Sequence, residues 1–256
     1  MPSALIGHTG FVGGTLLRQH RFDDLYNSTN IEQLAGKSYD LVACAAAPGV
    51  KWKANKEPEQ DLASIKRLMA PFETVRARKV VLISTVDVYP SPLDVDEHTP
   101  IDRASGSPYG RHRLWLEDFL RERFDTVVVR LPGLFGVGLK KNIIFDILTG
   151  NRVDQIVPNA VFQFYDMQHL WAHVQMAQQQ GLGLVNFATE PTSVREVAMD
   201  GLGVSLPAPE QSNAPRYDMK SKHASVFGGS RGYVADKKSV LAGIREFAKN
   251  EGWVRP

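Results

Sequence analysis

Tyr109 and Arg113 are the residues whose types and spacing most directly suggest chemistry. They stand four residues apart in a segment that begins Ser107-Pro108 and has the pattern of a helix, so their side chains lie on one face. A tyrosine hydroxyl has a pKa of about 10, too high for a base near neutral pH unless a nearby cation stabilises the phenolate. A tyrosine paired in this way can take a proton from a substrate hydroxyl or return one. The pair therefore predicts acid–base chemistry at the oxygen of an alcohol or a carbonyl group.

The position in the chain separates this pair from Tyr233 and Lys237, which have the same spacing. Only Tyr109 follows an apolar segment, Lys79–Ile83, that has the composition of a buried central strand and leads into Ser84-Thr85. A strand that ends in hydroxyl residues and a helix that opens on a tyrosine together favour a functional site. Packing alone offers the other interpretation, in which the tyrosine fills space at a helix start and the arginine is solvated.

A second chemical feature is the glycine pattern near residue 10. Gly7, Gly10 and Gly13 follow the apolar segment Ser3–Ile6 and open a segment with helical periodicity, Phe11–His20. A strand that turns through glycines into a helix leaves backbone N–H groups at the helix N-terminus, where the helix dipole also favours a diphosphate. The glycines then allow a tight turn, a close approach of the pyrophosphate, and close packing of helix on strand. An ordinary glycine-rich turn is the alternative.

The order of these motifs resembles that of the extended short-chain dehydrogenases/reductases, the NAD-dependent epimerase/dehydratase family. The G-x-x-G-x-x-G spacing, the strand end Ser84–Tyr89 and the helix start Ser107–Gly110 are similar to landmarks of that family. Weaker landmarks follow in the family order at Phe164–Asp166, Asn186–Thr189 and Tyr217–Lys222. The short chain between the second and third predicted strands is similar to that of the compact dTDP-4-dehydrorhamnose reductases.

The resemblance implies an NAD(P)-dependent oxidoreductase or epimerase that acts on a hydroxyl or keto carbon of a small-molecule substrate, a nucleotide-sugar. Thr85 would orient the substrate hydroxyl, Tyr109 would be the acid and base, and Arg113 would occupy the place of the supporting cation. The expected contacts with NAD or NADP are Gly7, Thr9, Gly10, Phe11, Val12, Gly13, Asn27, Ser28, Ala45, Ala46, Ser84 and Pro132.

Two positions depart from the family pattern. Arg113 stands where the family has a lysine that holds the nicotinamide ribose and lowers the pKa of the tyrosine, and an arginine is bulkier and forked. Gly133 stands where many nucleotide-sugar enzymes have an asparagine that contacts the substrate. These departures leave two alternatives open, a catalytically impaired NAD(P)-binding regulatory protein and an enzyme that acts on a non-sugar carbonyl.

The choice between NAD and NADP depends on the end of the second predicted strand. In this fold an acidic residue about 20 positions beyond the glycines selects NAD by bonding the adenosine 2′-hydroxyl. Asn27 and Ser28 occupy that place and carry no charge, so both cofactors remain open. Arg18 and Arg21 either supply charge to a 2′-phosphate or are solvated. The segment Lys51–Lys56 is expected as a loop whose lysines bind a substrate diphosphate or face solvent.

Strands alternate with helices from residue 3 to residue 131, which predicts a Rossmann-like α/β fold, a doubly wound parallel sheet with helices on both faces. We expect residues 1–160 to form the NAD(P)-binding core, and residues 161–256 to complete the sheet and form the substrate side. One long helix is expected over Glu57–Arg76, in spite of Pro71.

Family members often form homodimers through two long helices, here expected at Glu57–Arg76 and Tyr109–Arg121. The apolar side chains that would serve such an interface are those of Leu114, Trp115 and Phe119. The same residues are equally suited to packing in the core. We therefore expect a homodimer, and the exposure of these three side chains tests that expectation.

Composition excludes several classes of protein. With 43% hydrophobic and 23% charged residues and a net charge of +2, the chain reads as a soluble globular protein rather than one that binds nucleic acid or an anionic membrane. No apolar run approaches the ~20 residues of a membrane span, and no signal-peptide pattern is present, so we expect a cytoplasmic location. Cys44 is expected as a buried core thiol, and the histidine spacing predicts no metal site.

Overall fold

The computed structural model describes residues 2–206 and 209–253 of the chain. The strands in this part, β1 to β12, are Ser3–Ile6, Asp24–Tyr26, Ser38–Cys44, Arg76–Thr85, Leu93–Val95, Thr126–Leu131, Gly133–Phe135, Val161–Phe162, Phe164–Asp166, Leu184–Asn186, Thr192–Ser193 and Asp218–Met219. The helices α1 to α8 are Phe11–Gln19, Lys51–Lys56, Pro58–Met69, Pro108–Arg123, Ile143–Thr149, Leu170–Gln179, Val194–Glu196 and Lys237–Asn250.

The chain divides into two compact units. The first unit takes the described residues of Met1–Ser91, His98–Arg130 and Leu170–Val185, and the second takes those of Pro92–Glu97, Leu131–His169 and Asn186–Pro256. The chain therefore passes between the units several times. The assignment of a cofactor role to residues 1–160 and a substrate role to residues 161–256 stays a prediction.

The first unit is built on a six-stranded parallel sheet with the order β10-β6-β4-β3-β1-β2. Its central strand β4 has completely buried side chains at Val80, Val81 and Leu82, as a strand covered on both faces requires. Helix α1, helix α3 and helix α4 belong to this unit, and residues of α3 and α4 join the buried cluster around the sheet. The predicted Rossmann-like fold is confirmed.

The strand order places a topological switch point between β1 and β3. From β1 the chain continues to β2 on one side and then returns to β3 on the other side of β1. In open parallel sheets, ligands bind outside the carboxyl ends of the strands at such a point. The residues that follow β1 and β3 are Gly7 and Ala45, so two of the expected cofactor contacts lie at the switch point.

The long helix expected over Glu57–Arg76 is wrong. Helix α3 ends at Met69, a 3-10 turn covers Ala70–Glu73, and β4 begins soon after. Pro71 explains the break, because a proline has no N–H to continue the helical hydrogen bonds and its ring crowds the carbonyl one turn earlier.

The segment Lys51–Lys56, expected as a loop, forms the short helix α2. The N–H of Ala54 donates to the carbonyl of Val50 at 3.0 Å, and the side chain of Ala54 is buried. Six residues are too few for the hydrophobic period to show in the sequence. Helix α2 therefore brings its lysines into fixed positions that the sequence did not predict.

The second unit contains three short two-stranded sheets, β7 with β9, β8 with β11, and β5 with β12. Its core includes Phe135, Ile144, Phe164 and Ile244, each at most 2% exposed. The buried amide of Gln163 joins three segments, because its nitrogen donates to the carbonyls of Thr189 and Met219 while its oxygen accepts the N–H of Met219. Among the residues described in either unit, no helix has the length and apolar character needed to cross a membrane.

Candidate active site

The glycine turn after β1 is packed too closely for side chains at two of its three glycines. Gly7 has a positive φ of 91°, and a Cβ there would lie 2.6 Å from the carbonyl oxygen of Ala45. A Cβ on Gly13 would lie 2.0 Å from the carbonyl oxygen of Gly7. The turn, the end of β3 and the first turn of α1 therefore contact one another through their backbones.

The third glycine faces open space at the start of α1. A Cβ on Gly10 would meet only the carbonyl oxygen of Gly7, at 3.4 Å. Gly10 is the N-cap of α1 and no side chain caps the helix, so the amides of Phe11, Val12 and Gly13 have no acceptor within the helix. This uncapped N-terminus at the switch point fits the diphosphate of a dinucleotide.

Two further residues of the turn accompany this N-terminus. Thr9 is exposed. His8 carries the one buried side-chain nitrogen or oxygen, Nδ1, that lacks a hydrogen-bond partner among residues 2–206 and 209–253. A polar group buried without a partner costs stability unless a ligand satisfies it, so it also fits a bound polar group here.

Asn27, which directly follows β2, forms a turn with Thr29. Its side-chain oxygen accepts hydrogen bonds from the N–H and the hydroxyl of Thr29, at 2.8 and 2.7 Å. Arg67 on α3 donates to the carbonyl of Ser28 at 2.9 Å and pairs with Glu32 at 2.6 Å. The sequence did not predict this cation and carboxylate beside Ser28, because Arg67 comes from an element 39 positions away.

The end of β3 supplies the small residues expected against the cofactor. The N–H of Ala45 donates to the carbonyl of Ile6 at 2.9 Å, so the ladder between β1 and β3 continues to the glycine turn. Ala46 is partly buried and packs against the core. Cys44 is fully buried, and burial raises the pKa of its thiol to about 11, which confirms the predicted core thiol.

Thr85 and Tyr109 are brought together, as predicted. Their hydroxyl groups form a hydrogen bond, and Tyr109 is 8% exposed. The backbone N–H of Tyr109 donates to the side-chain oxygen of Asn55 on α2 at 3.1 Å. Thr85 also accepts the N–H of Asp87 at 3.1 Å, which fixes its rotamer at the end of β4.

Gly110 explains how closely helix α4 approaches this strand end. A Cβ at that position would lie 2.2 Å from the carbonyl oxygen of Asp87. Ser107 caps the helix by accepting the N–H of Gly110, and Pro108 occupies its first turn. The missing side chain lets the start of α4 press against the turn after β4, which sets the position of Tyr109.

Arg113 is buried and its guanidinium is fully engaged. It is 2% exposed and forms two hydrogen bonds with the carboxylate of Asp61 on α3, at 2.5 and 2.8 Å. It also donates to the carbonyl of Pro48 at 2.5 Å and lies 3.9 Å from the centre of the Tyr109 ring. His112 forms a second contact with Asp61, at 2.7 Å. The interpretation in which Arg113 is solvated is therefore wrong.

The environment of Tyr109 combines opposing effects on the phenol. Burial raises the pKa of Tyr109 most strongly, and the charge of Asp87 raises it further. The charges of Arg113 and Lys51 and the hydrogen bond from Thr85 lower it, and the net pKa lies above the usual value of 10.0. The phenol is therefore protonated at neutral pH in the protein alone, the form that donates a proton.

The hydroxyl of Ser84 is used within the protein. It donates to Glu117 at 2.5 Å, and Glu117 pairs with Arg130 at 2.6 Å. Arg130 also donates to the hydroxyl of Tyr89 at 2.8 Å. This buried network joins α4, β6 and the turn after β4, so it holds the two elements that carry Thr85 and the tyrosine helix.

Pro132 and Gly133 belong to the second unit, and the close contact of β7 with β9 explains the absence of an asparagine. A Cβ on Gly133 would lie 2.8 Å from the carbonyl oxygen of Gln163 and 3.1 Å from the ring of Phe164. Any side chain at this position would need β7 and β9 to separate. The departure from the family pattern thus has a local packing cause.

The uncapped helix at the switch point of a parallel sheet defines a dinucleotide-binding fold, and a strand-end threonine bonded to a helix-borne tyrosine lies in the same unit. Comparison with protein families agrees, since the profile of the NAD-dependent epimerase/dehydratase family matches residues 20–156. This match covers more than half of the chain, and the chain therefore belongs to that family. The family membership predicted from the motifs is confirmed.

Solved structures of the same fold cover nearly the whole chain. MoeE5 in complex with UDP-glucuronic acid and NAD has a TM-score of 0.74 and 17% identity, over 98% of this chain and 100% of that one. A dTDP-4-dehydrorhamnose reductase from Clostridium acetobutylicum has a TM-score of 0.73 and 16% identity, over 98% and 100%. RMD from Pseudomonas aeruginosa, complexed with NADPH, has a TM-score of 0.70 and 16% identity, over 98% and 100%. No curated protein sequence matches the chain.

Proposed function

We propose that the protein is an NAD(P)-dependent oxidoreductase or epimerase that acts on a hydroxyl or keto carbon of a nucleotide-sugar. The observation that carries the proposal is the hydrogen bond between Thr85 and Tyr109 at the carboxyl edge of the sheet that also carries the glycine turn. Family membership supports the redox chemistry. The named ligands and activities of MoeE5 and of the dTDP-4-dehydrorhamnose reductase support the substrate class.

In this proposal Tyr109 exchanges the proton and Thr85 orients the reacting oxygen. A bound nicotinamide supplies or accepts the hydride. When a ketone is reduced, the protonated Tyr109 donates its hydroxyl proton to the carbonyl oxygen as that oxygen gains negative charge. When an alcohol is oxidised, the phenolate takes the hydroxyl proton. Thr85 holds that oxygen beside the phenol through its own hydroxyl.

The cofactor contacts are proposed to follow the sheet edge. The amides of Phe11, Val12 and Gly13 hold the diphosphate, because those of Gly7 and Gly10 donate to the carbonyls of Tyr26 and Gly7. Asn27 and Ser28 lie at the adenosine end. Ala45 and Ala46 line the cofactor because their side chains are short. The roles of Ser84 and Pro132 are proposed from the family resemblance, with the Ser84 hydroxyl committed to Glu117.

The site offers charge of both signs at the adenosine end. Arg67 favours a 2′-phosphate, whereas Glu32, which pairs with it, favours the 2′-hydroxyl of NAD. Arg18 donates to Thr15 at 2.9 Å, within its own helix. The proposal therefore includes NAD and NADP, and direct titration with each decides between them.

A catalytically impaired regulatory protein is the second candidate, favoured by the pairing of Arg113 with Asp61. A cation held by a carboxylate is less able to stabilise a phenolate than the free lysine of the family pattern. Such a protein would bind NAD or NADP and catalyse no hydride transfer. Arg113→Lys discriminates, because a large rise in turnover would count against a purely regulatory role.

A homodimer is proposed through the exposed face of α4. Trp115 is 39% exposed on that helix, whereas Leu114 and Phe119 are buried and serve the core. Trp115→Glu should convert a dimer into a monomer in light scattering. A monomeric wild-type protein would remove this part of the proposal.

The proposed function is tested first by cofactor binding and then by turnover. Calorimetric titration with NAD and with NADP, in both oxidation states, should show saturable binding of at least one pair. The preferred cofactor is then used in a screen of nucleotide-sugars and their keto derivatives, following absorbance of the reduced nicotinamide. Absence of binding to either cofactor would overturn the proposal, and binding without turnover would favour the regulatory candidate.

A further inference from the structure

Helix α3 brings an arginine to the end of β2. Nη2 of Arg67 donates to the carbonyl of Ser28 at 2.9 Å, just after Tyr26, the last residue of the strand. The glycine turn contacts the same strand end, because the N–H of Gly7 donates to the carbonyl of Tyr26 at 2.7 Å. In dinucleotide-binding folds, a residue near this strand end selects between the 2′-hydroxyl and the 2′-phosphate of the adenosine ribose. Arg67 is therefore bonded to the segment where this selection takes place.

The turn that follows β2, residues 27–30, carries no charge of its own. The N–H of Asn27 donates to the side-chain oxygen of Asn30 at 2.7 Å, and the side-chain oxygen of Asn27 accepts the N–H of Thr29 at 2.8 Å. These bonds hold the turn in a compact form and engage both asparagine side chains. Within the described part of the chain, Arg67 is the charged side chain that hydrogen-bonds to this turn. A charge that selects the cofactor must therefore come from another element.

The guanidinium of Arg67 is held on one edge and open on the other. Nε and Nη2 donate to Oε1 of Glu32, at 2.9 and 2.6 Å, and Nη2 donates also to Ser28. These bonds use the N–H groups of Nε and Nη2 and leave those of Nη1, which have no acceptor among residues 2–206 and 209–253. The side chain is 57% exposed, so a ligand has room to reach Nη1.

Glu32, in the 3-10 turn Ile31–Leu34, orients this guanidinium and also opposes an anion. The hydrogen bond from Arg67 is the main cause of the lowered pKa of Glu32, and a bond from its own backbone adds to it, so the carboxylate is charged at neutral pH. It contacts the Nε and Nη2 edge of the planar guanidinium. An anion bound at Nη1 would therefore lie closer to the positive charge than to the carboxylate.

We propose that Arg67, oriented by Glu32 and by the carbonyl of Ser28, binds the 2′-phosphate of NADP, and that the protein selects NADP over NAD by this charge on α3. The chemistry is complementary, because a phosphate offers charged acceptor oxygens and a guanidinium offers N–H donors in a matching plane. The 2′-hydroxyl of NAD carries no charge and gains less from the same donors. This inference rests on the proposed function, which leaves the choice between the two cofactors open.

The test is calorimetric titration of the full-length protein with NADP and with NAD in the same oxidation state. The two differ only in the 2′-phosphate, so the ratio of their affinities isolates this contact from the rest of the cofactor site. Arg67→Met removes the cation, and Glu32→Gln removes the opposing charge but keeps an acceptor oxygen for Arg67. Arg103→Met is the matched control, because Arg103 also donates through Nε and Nη2 to one carboxylate, that of Asp118, and is 70% exposed. Circular dichroism verifies that every variant is folded.

We expect the wild-type protein to bind NADP more tightly than NAD. Arg67→Met should weaken NADP binding about tenfold or more and change NAD binding little. Glu32→Gln should shift the ratio the other way, toward NADP, and Arg103→Met should keep the wild-type ratio. Opposite shifts in the first two variants are not expected from a general loss of stability.

A wild-type preference for NAD, an unchanged ratio in Arg67→Met, or an equal change in Arg103→Met would overturn the inference. A shift toward NAD in Glu32→Gln would also contradict it. These outcomes leave the proposed function standing, because the protein still binds a nicotinamide cofactor. Binding of neither cofactor would overturn the proposed function and this inference together, so the two failures are distinguishable.

Discussion

The buried pair of Arg113 and Asp61 is the residue-level feature that most changes the expected site. The family pattern places a free cation four residues after the tyrosine, whereas this chain places there a cation joined to a carboxylate. The guanidinium of Arg113 lies over the face of the Tyr109 ring. It therefore supports the position of the ring and also places a positive charge beside it.

Arg113→Met should lower the free energy of unfolding by about 3–5 kcal/mol, because it leaves the Asp61 carboxylate buried without a partner. Arg103→Met is the matched control, since Arg103 makes the same two-bond contact with Asp118 but is 70% exposed. The control should cost less than about 1 kcal/mol. Urea unfolding followed by circular dichroism measures both values. Equal losses of unfolding free energy in the two variants would show that the buried pair contributes no more to stability than the exposed pair.

At the scale of elements, backbones meet without side chains between them at three places, two in the first unit and one in the second. Gly7 and Gly13 allow α1 to contact the turn after β1, Gly110 allows α4 to contact the turn after β4, and Gly133 allows β7 to pair with β9. Each of these glycines is required by a close approach, and Gly7 is required also by its positive φ of 91°. The two that serve α1 also leave its N-terminus open, which is what a diphosphate requires.

Gly13→Ala should weaken cofactor binding at least tenfold and reduce stability, because the new Cβ would lie 2.0 Å from the carbonyl oxygen of Gly7. The helix would have to move away from the turn that forms the cradle with it. Gly14→Ala is the control in the same helix, since its Cβ would find no contact closer than 3.6 Å, and helix propensity predicts a small gain in stability. Calorimetric titration with the preferred cofactor gives the affinities. Similar affinities in the two variants would exclude the glycine turn as the cradle.

At the scale of the molecule, several carboxylates make the free energy of unfolding depend on pH. Although burial opposes the effect, hydrogen bonds from Arg113 and His112 leave the pKa of Asp61 below its usual value of 3.8. The side chain of Asp236 caps the start of α8 by accepting the N–H of Ser239, and this hydrogen bond is the main cause of its lowered pKa. A carboxyl with a depressed pKa in the folded state contributes stability that is complete above its unfolded pKa and is lost as pH falls through the folded one.

The free energy of unfolding should therefore decline as pH falls below 3.8, the usual value for aspartate. Asp166 acts in the opposite direction, because burial raises its pKa, so its contribution grows as it becomes protonated. Asp236→Asn keeps a capping oxygen and removes one titrating group, so the decline should be less steep. Urea midpoints measured across this range give the slopes. A wild-type midpoint that stays constant down to pH ~2 would contradict the assignment.

The fold was predictable because it depends on local signals, whereas the placement of Thr85 and Tyr109 at one site was predicted from the family resemblance. An apolar run of β-branched residues predicts a buried strand, and residues that end neighbouring parallel strands meet at one edge. Asp61 and Lys51 were not predictable as partners of this site. Asp61 lies 52 positions from Arg113, and Lys51 lies 36 positions from Asp87, so only the tertiary structure brings them together.

The close packing around Gly133 was likewise not predictable from the sequence. A sequence shows only that an expected asparagine is missing, whereas the structure shows that Gln163 and Phe164 occupy the space its side chain would need. The helix predicted over Glu57–Arg76 is too long for a local reason. Pro71 interrupts the helical pattern, and β4 begins at Arg76. Local rules thus predicted which elements exist and where most of them lie, and long-range contacts decided the chemistry around the tyrosine.

The central claim, that Tyr109 transfers the proton in a nicotinamide-dependent reaction, is tested most directly by single-turnover hydride transfer with the preferred reduced cofactor and a nucleotide keto-sugar. Tyr109→Phe should slow the transfer by about 100-fold to 10,000-fold and leave cofactor affinity nearly unchanged. Tyr233→Phe, which removes the hydroxyl of the other tyrosine with a cation four positions later, should retain the wild-type rate. A wild-type rate in Tyr109→Phe would contradict the account.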